Sequence, residues 1–376
     1  MVMIKMRHTL CLSVLALVLS LRCQKPYTPP AIAFPGSYLV VDGIINSGND
    51  STIFLLSRTV NTNAKTTANP ILDASVLVES DAGASWPLNS NGAGRYVSGP
   101  LGLSASQKYR IHISTGDGLQ YLSDFVPVKP TPPIDSIGYN ITNGILQLYV
   151  NAHDATDNTH YYRWDYAETW QFHTEYVSYL YVDSVTHQIA IRLADKYIFN
   201  CFGNDLSTDV LLASTTNLGS DIVYQNILTR IALSSEKLET KYSVLVRQYA
   251  LTAEAFQFYT ILKKNTEELG GLFGPLPSQL TGNIHCVNNP NIPVIGYITA
   301  TNIQSKRVFI SEGALPPTQT IYPYTCQLDT STIDLFFKYP GIYTPIEEDN
   351  VHIYYSTSEC VDCTIRGTTQ TPSFWK

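Results

Sequence analysis

Charge is scarce in this chain: Asp, Glu, Lys and Arg make up 15% of its 376 residues. No cluster of Lys or Arg occurs, so the electrostatic footprint that nucleic acid demands is missing. No apolar run reaches the ~20 residues that cross a bilayer as a helix. Gly-x-Ser-x-Gly, His-Glu-x-x-His and a Gly-rich phosphate loop are all absent, which removes familiar signatures of hydrolases, zinc peptidases and nucleotide enzymes. The expectation is a protein that is not an enzyme and uses no cofactor or metal. Tyr, by contrast, reaches 25 copies against 3 Met, in a background of Thr, Ser, Asn, Val and Ile. That balance reads as β structure with a wet surface.

The first residues read as an export signal. Lys5, Arg7 and His8 form a basic start, residues 9–21 are apolar, and Cys23 follows at once. Residues 1–22 are read as signal peptide and 23–36, with Pro26, Pro29 and Pro30, as a tether. A cysteine placed so is where bacterial lipoproteins receive acyl chains such as palmitate, which assigns Cys23 to lipidation and the protein to a membrane surface. Arg22 favours the competing account, ordinary cleavage with Cys23 left as a thiol, because the processing peptidase prefers a small residue there. Without residues 1–22, which hold Lys5, Arg7 and Arg22, 21 basic residues face 31 acidic ones, a net charge of −10. Attraction to anionic lipid is therefore not expected, and membrane contact falls to Cys23.

The length suggests two domains. Residues 38–45 and 51–56 flank the turn cluster Asn46, Ser47, Gly48, Asn49 and Asp50, a hairpin. Residues 74–79, 94–97, 108–113 and 121–125 add short strands, so residues 37–128 read as an immunoglobulin- or prealbumin-like β-sandwich. Pro127, Pro130, Pro132 and Pro133 cannot occupy a central strand and mark the boundary. Residues 134–376 read as a larger β-rich domain with one packed helix at 253–269, capped by Thr252 and stopped by Gly270 and Gly271. In residues 161–183, Tyr162, Trp164, Tyr166, Trp170 and Phe172 share one parity, while Arg163, Asp165 and His173 take the other. Tyr162, Trp164, Tyr166 and Trp170 form either a ligand platform or the inner face of a sheet.

Cys201, Cys286, Cys326, Cys360 and Cys363 are disulfide candidates suited to an oxidising compartment. Cys360-Val361-Asp362-Cys363 follows a strand rather than opening a helix, so bridging is preferred to redox or zinc chemistry. His153-Asp154-Ala155-Thr156-Asp157-Asn158-Thr159-His160 lacks the Gly and terminal Glu of a calcium loop and reads as a turn. After the helix, Leu272, Phe273 and Leu276 among Pro275, Pro277 and Gly282 make a stiff apolar loop, the candidate partner contact.

Tyr242-Ser243-Val244-Leu245-Val246-Arg247-Gln248-Tyr249, then Lys264-Asn265-Thr266-Glu267-Glu268-Leu269-Gly270 and Pro277-Ser278-Gln279-Leu280-Thr281-Gly282-Asn283-Ile284-His285, resemble a Bacteroidota lipoprotein family catalogued as a domain of unknown function (number four-two-four-nine). Val294-Ile295-Gly296-Tyr297, the Cys360/Cys363 pair and Phe374-Trp375 extend the resemblance. Gly274 departs from it where an acidic residue is expected, as does Arg22 at the lipidation site. The resemblance implies an outer-membrane lipoprotein often encoded beside a TonB-dependent receptor, and it implies no catalytic residues. The expected function is accessory capture, or a lid, for such a transporter, with an unidentified small ligand. A structural or adhesive surface protein is the alternative, and a hydrolase of surface glycan or peptide the third.

Overall fold

Two-residue alternation builds the first layer. In the strand Lys108–Ser114, Tyr109, Ile111 and Ile113 are buried while Lys108, Arg110 and His112 point the other way. The hairpin Leu39–Asn46/Thr52–Arg58 forms as its sequence predicts. Its turn is fastened by polar side chains: Asn46 Oδ1 accepts the Gly48 N–H at 2.9 Å, and Thr52 Oγ1 accepts the Asn46 N–H at 3.1 Å. The computed structural model describes residues 37–60, 69–267, 280–322, 324–349 and 351–375. Cys23, the segment read as a tether, and Leu272, Phe273 and Leu276 lie outside the described residues.

Strand pairing closes the first sheet into a ring. Its order is Lys108–Ser114, Ser75–Ser80, Ser85–Ser90, Arg95–Ser98, Thr52–Arg58, Leu39–Asn46, Ala300–Thr301 and Val126–Lys129, which pairs back to Lys108–Ser114. Phe54, Tyr96, Tyr109, Tyr121 and Ile298 fill the interior. The sequence boundary assigned everything after residue 134 to a second domain, and here the structure differs. Ile284–Cys286 pairs with Gln120–Ser123, and both Val294–Ile295 and Ala300–Thr301 run parallel to Leu39–Asn46. The physical reason is the edge of Leu39–Asn46, which a sandwich built from residues 37–128 alone leaves unpaired. Tyr38 to Lys376 therefore groups as one compact unit.

The second layer is a pair of sheets packed face to face. One holds Ile134–Thr142, Ile145–His153 and Ile222–Ala232; the other centres on Tyr161–His173 and Lys241–Ala250, flanked by Asn200–Leu206, Leu211–Ser214 and Gln304–Ser311. Leu146, Leu148 and Val150 meet Tyr162, Trp164, Tyr242 and Val244 between them. The helix α1 (Ala253–Glu267) covers one end of this core, burying Ala255, Phe258 and Tyr259. Thr252 Oγ1 accepts the Ala255 N–H at 3.2 Å, the cap expected from the sequence. A two-stranded hairpin, Leu180–Asp183/Gln188–Ile191, and a small three-stranded sheet, Asp329–Ser331, Ile353–Thr357 and Tyr343–Glu348, lie outside these layers. No described helix is long and apolar enough to cross a membrane, which leaves open a crossing by strands.

Candidate functional site

A cavity of about 500 Å³ opens where Tyr161–His173 ends. His173, Glu175, Glu239, Glu312 and Tyr322 supply its titratable groups, Thr240, Thr318, Gln319 and Thr320 its neutral polar ones, and Pro316 and Pro317 form a stiff wall. Glu239 is the fixed point. Its Oε2 accepts the His173 backbone N–H at 3.1 Å, and its Oε1 accepts the Tyr322 hydroxyl. Burial, then the Glu239 carboxylate, pushes the Tyr322 phenol up, so it stays a donor. The His173 ring stacks on Phe199 with centroids 5.0 Å apart. Its Nδ1 lies 2.9 Å from the Thr174 carbonyl oxygen, which can only accept, so Nδ1 carries a proton. In the neutral ring Nε2 is then a second acceptor, 3.7 Å from Glu239 Oε1. Three carboxylates, with no Lys or Arg on the lining, give the cleft a negative wall.

The aromatic stripe has a different fate from the ligand platform it offered. Tyr162, Trp164 and Tyr166 are buried between the two sheets, where Trp164 Nε1 donates to Gln248 Oε1 at 2.8 Å and Tyr162 donates to Asp221 Oδ2 at 2.5 Å. Trp170 is partly buried, and its indole fills the space a Cβ on Gly203 would occupy. Tyr162, Trp164 and Tyr166 are core and Trp170 packs against it, because each exposed ring would forgo the burial that the facing sheet supplies. The cysteine expectation holds in its main part: Cys201–Cys363 and Cys326–Cys360 are bridged. Cys286 is the exception among the five, a free thiol buried in the ring of strands. The polar segment after His153 is the expected turn, with Asp154 Oδ1 accepting from Thr156 N at 2.9 Å. Among the described residues no cluster of His, Cys, Asp or Glu is arranged to hold a metal ion.

Residues 24–307 match the family described as a domain of unknown function, DUF4249. The chain belongs to that family. No curated protein matches it. Among solved structures it is similar to a candidate carbohydrate binding protein from Bacteroides uniformis ATCC 8492, at 8% identity over 57% of this chain and 90% of that one, with a TM-score of 0.16. A second, the adhesin InvE of Yersinia pseudotuberculosis, is 11% identical over 57% of this chain and 55% of that one, with a TM-score of 0.14. Neither likeness is close enough to carry an argument.

The family match takes in the ring of strands, the helix and most of the paired sheets, and it stops short of Glu312 and Tyr322 in the carboxylate-lined cleft. That cleft is assembled from three distant stretches, which is why no motif announced it. Glu312 and Tyr322 carry no local pattern, and His173 drew notice only for its parity. Of the loop proposed to meet a partner, the described end folds back: Leu280 packs against the helix cluster and Ile284 enters the ring core.

Proposed function

We propose that this DUF4249 protein is a non-catalytic outer-membrane lipoprotein, anchored through Cys23, that captures a small amine-bearing ligand in the His173–Glu239 cleft as an accessory to a TonB-dependent transporter. The observation that carries the capture is the convergence of Glu175, Glu239, Glu312 and the His173 ring on one cavity of about 500 Å³. Three carboxylates on a lining without Lys or Arg favour a guest that brings positive charge. The volume falls in the range of small-molecule sites, roughly 300–1,000 Å³. A binding role fits the local chemistry better than catalysis. His173 spends Nδ1 on a backbone carbonyl and turns Nε2 toward a carboxylate, not toward a hydroxyl or thiol. The transporter link and the anchor rest on the family resemblance and on the leader sequence.

The test is calorimetric titration of detergent-solubilised protein with putrescine at low salt. Glu175→Gln with Glu312→Gln removes two exposed carboxylates and leaves the Glu239 network in place. The expected result is binding weakened about tenfold or more, as for loss of charge-assisted hydrogen bonds. Equal affinity of putrescine for wild type and variant overturns the reading.

One observation favours the adhesive alternative. The hairpin Leu180–Asp183/Gln188–Ile191 and the segment after it leave Val185 87%, Ile191 76% and Leu193 67% exposed, with Tyr179 and Tyr181 beside them. A small hairpin presenting apolar side chains suits contact with another surface.

A further inference from the structure

A second cleft, independent of the one just discussed, lies between the ring of strands and the five-stranded sheet. Its volume is about 210 Å³. On the sheet side four residues form a square: Arg163 pairs across the strands with Tyr249, and Asp165 with Arg247. Asp165 Oδ1 accepts from Arg247 Nε, Oδ2 accepts the Tyr249 hydroxyl at 2.7 Å, and Arg163 Nη2 stands 3.6 Å from Oδ2. One carboxylate thus serves two guanidinium groups. Arg163 is held further by ring faces, Tyr249 at 5.0 Å and Tyr259 at 4.6 Å from its Cζ. Aromatic faces hold a cation without neutralising it. Asp42, at the exposed mouth, is the remaining charged lining residue and makes no ion pair with either arginine.

The opposite wall is of another kind. Ile44, Ile53 and Leu55 from the first hairpin and Ile303 form an apolar lip around the cationic floor. Guanidinium donors come in planar pairs that match a carboxylate, and both oxygens of Asp165 are already engaged. We propose that this cleft is a binding site for a carboxylate carried on a short apolar chain, its head on Arg163 and Arg247 and its tail against Ile53 and Leu55. Every lining residue lies within the part of the chain that the family matches. A purely structural role, an ion ladder that bolts the sheet strands together, predicts no such ligand.

The experiment is titration of the full, detergent-solubilised protein with hexanoate, beside 1-hexanol and hexylamine, read by calorimetry. Hexanoate is expected to bind at least about tenfold more tightly than either analogue, the effect of one or two charge-assisted hydrogen bonds. Arg247→Met, at the more open of the two arginines, is expected to lose that margin, at a lower melting temperature because Asp165 loses a partner. Should that variant fail to fold, Leu55→Trp serves instead: Leu55 is 46% exposed, so the larger ring is tolerated and closes the mouth. Hexanoate binding no tighter than 1-hexanol, or unchanged affinity in whichever variant folds, overturns the proposal and leaves the ladder.

Discussion

Cys201 and Cys363 are bridged across 162 residues of chain, their Cα atoms 5.7 Å apart. The bridge pins the C-terminal segment to the edge strand Asn200–Leu206, beside the buried ring of Phe172. Arg366 lies over that ring at 4.8 Å, and Phe202 and Thr368 exchange backbone hydrogen bonds of 2.8 and 3.0 Å. In the chain-entropy account, closing so long a loop contributes ~5 kcal/mol, against ~4 kcal/mol for the 34-residue separation of Cys326 and Cys360. Replacing Cys201 and Cys363 together by Ala is therefore expected to lower the urea midpoint more than replacing Cys326 and Cys360. Peptide mapping without reductant first verifies the pairing. The opposite order of midpoints would show that local packing, not loop length, sets each contribution.

A buried carboxylate gives the second prediction. Glu168 is 4% exposed, yet it is fully engaged: Tyr242 donates to Oε1 at 2.6 Å and Lys237 Nζ to Oε2 at 2.5 Å. Burial pushes the Tyr242 phenol up, and the Glu168 charge adds to it, so the hydroxyl remains a donor. Lys237→Met strands the carboxylate and is expected to cost ~3–5 kcal/mol. Adding Glu168→Gln to that variant is expected to restore much of the loss, since the stranded charge is gone. Urea unfolding of the three proteins decides it. Equal stability of the single and double variants would mean that Lys237 acts through its contact with the Trp170 ring at 4.9 Å instead.

How far the sequence reveals the fold depends on the range of the interaction. Alternation in residues 108–113 and the Thr252 cap are local, and both reappear in the structure. The inward parity of Tyr162, Trp164 and Tyr166 was equally visible, because a strand with one buried face must repeat every second residue. Val294–Ile295 and Ala300–Thr301 are two residues long and carry no period, so their return to Leu39 and Ile45 was hidden. The same limit governs the sites. Arg163 and Asp165 declare their shared face, but nothing local states that Tyr249 and Arg247 lie opposite. Cross-strand register is set by the whole sheet.

The membrane anchor is tested on the intact cell envelope. If Cys23 carries acyl chains, each buried methylene holds the protein by ~0.8 kcal/mol, and several chains make release negligible. Cys23→Ala is then expected to move the protein from the membrane pellet to the soluble fraction. A variant that still pellets, together with a wild-type N-terminal peptide lacking acyl mass, would assign the leader to ordinary cleavage at Arg22.

Acid stability offers a test of the turn that follows Ile145–His153. Burial raises the Asp154 carboxyl, but hydrogen bonds from the Thr156 hydroxyl and N–H, then Thr159 and Asn158, outweigh it and hold the group down at about 2. The geometry agrees: Oδ1 accepts from Thr156 Oγ1 at 2.6 Å and Oδ2 from Asn158 N at 3.3 Å. An unfolded aspartate titrates near ~3.9. The folded state thus binds its proton later, so the turn's contribution is complete above about pH 4 and is lost as pH falls toward 2. His153 works in the other window. The Asp135 carboxylate, at 2.8 Å, raises the imidazole, so that contribution is complete below the unfolded histidine range and fades as pH climbs through the raised value. It lies on the open surface and is expected to vanish in high salt. Asp154→Asn keeps an oxygen for Thr156 N but has no charge to lose. Its urea midpoint is therefore expected to fall less steeply than that of wild type between pH 4 and 2, with the two curves parallel from pH 5 to 6. Parallel curves through the acid range as well would mean that the hydrogen bonds around Asp154 persist equally in the unfolded chain.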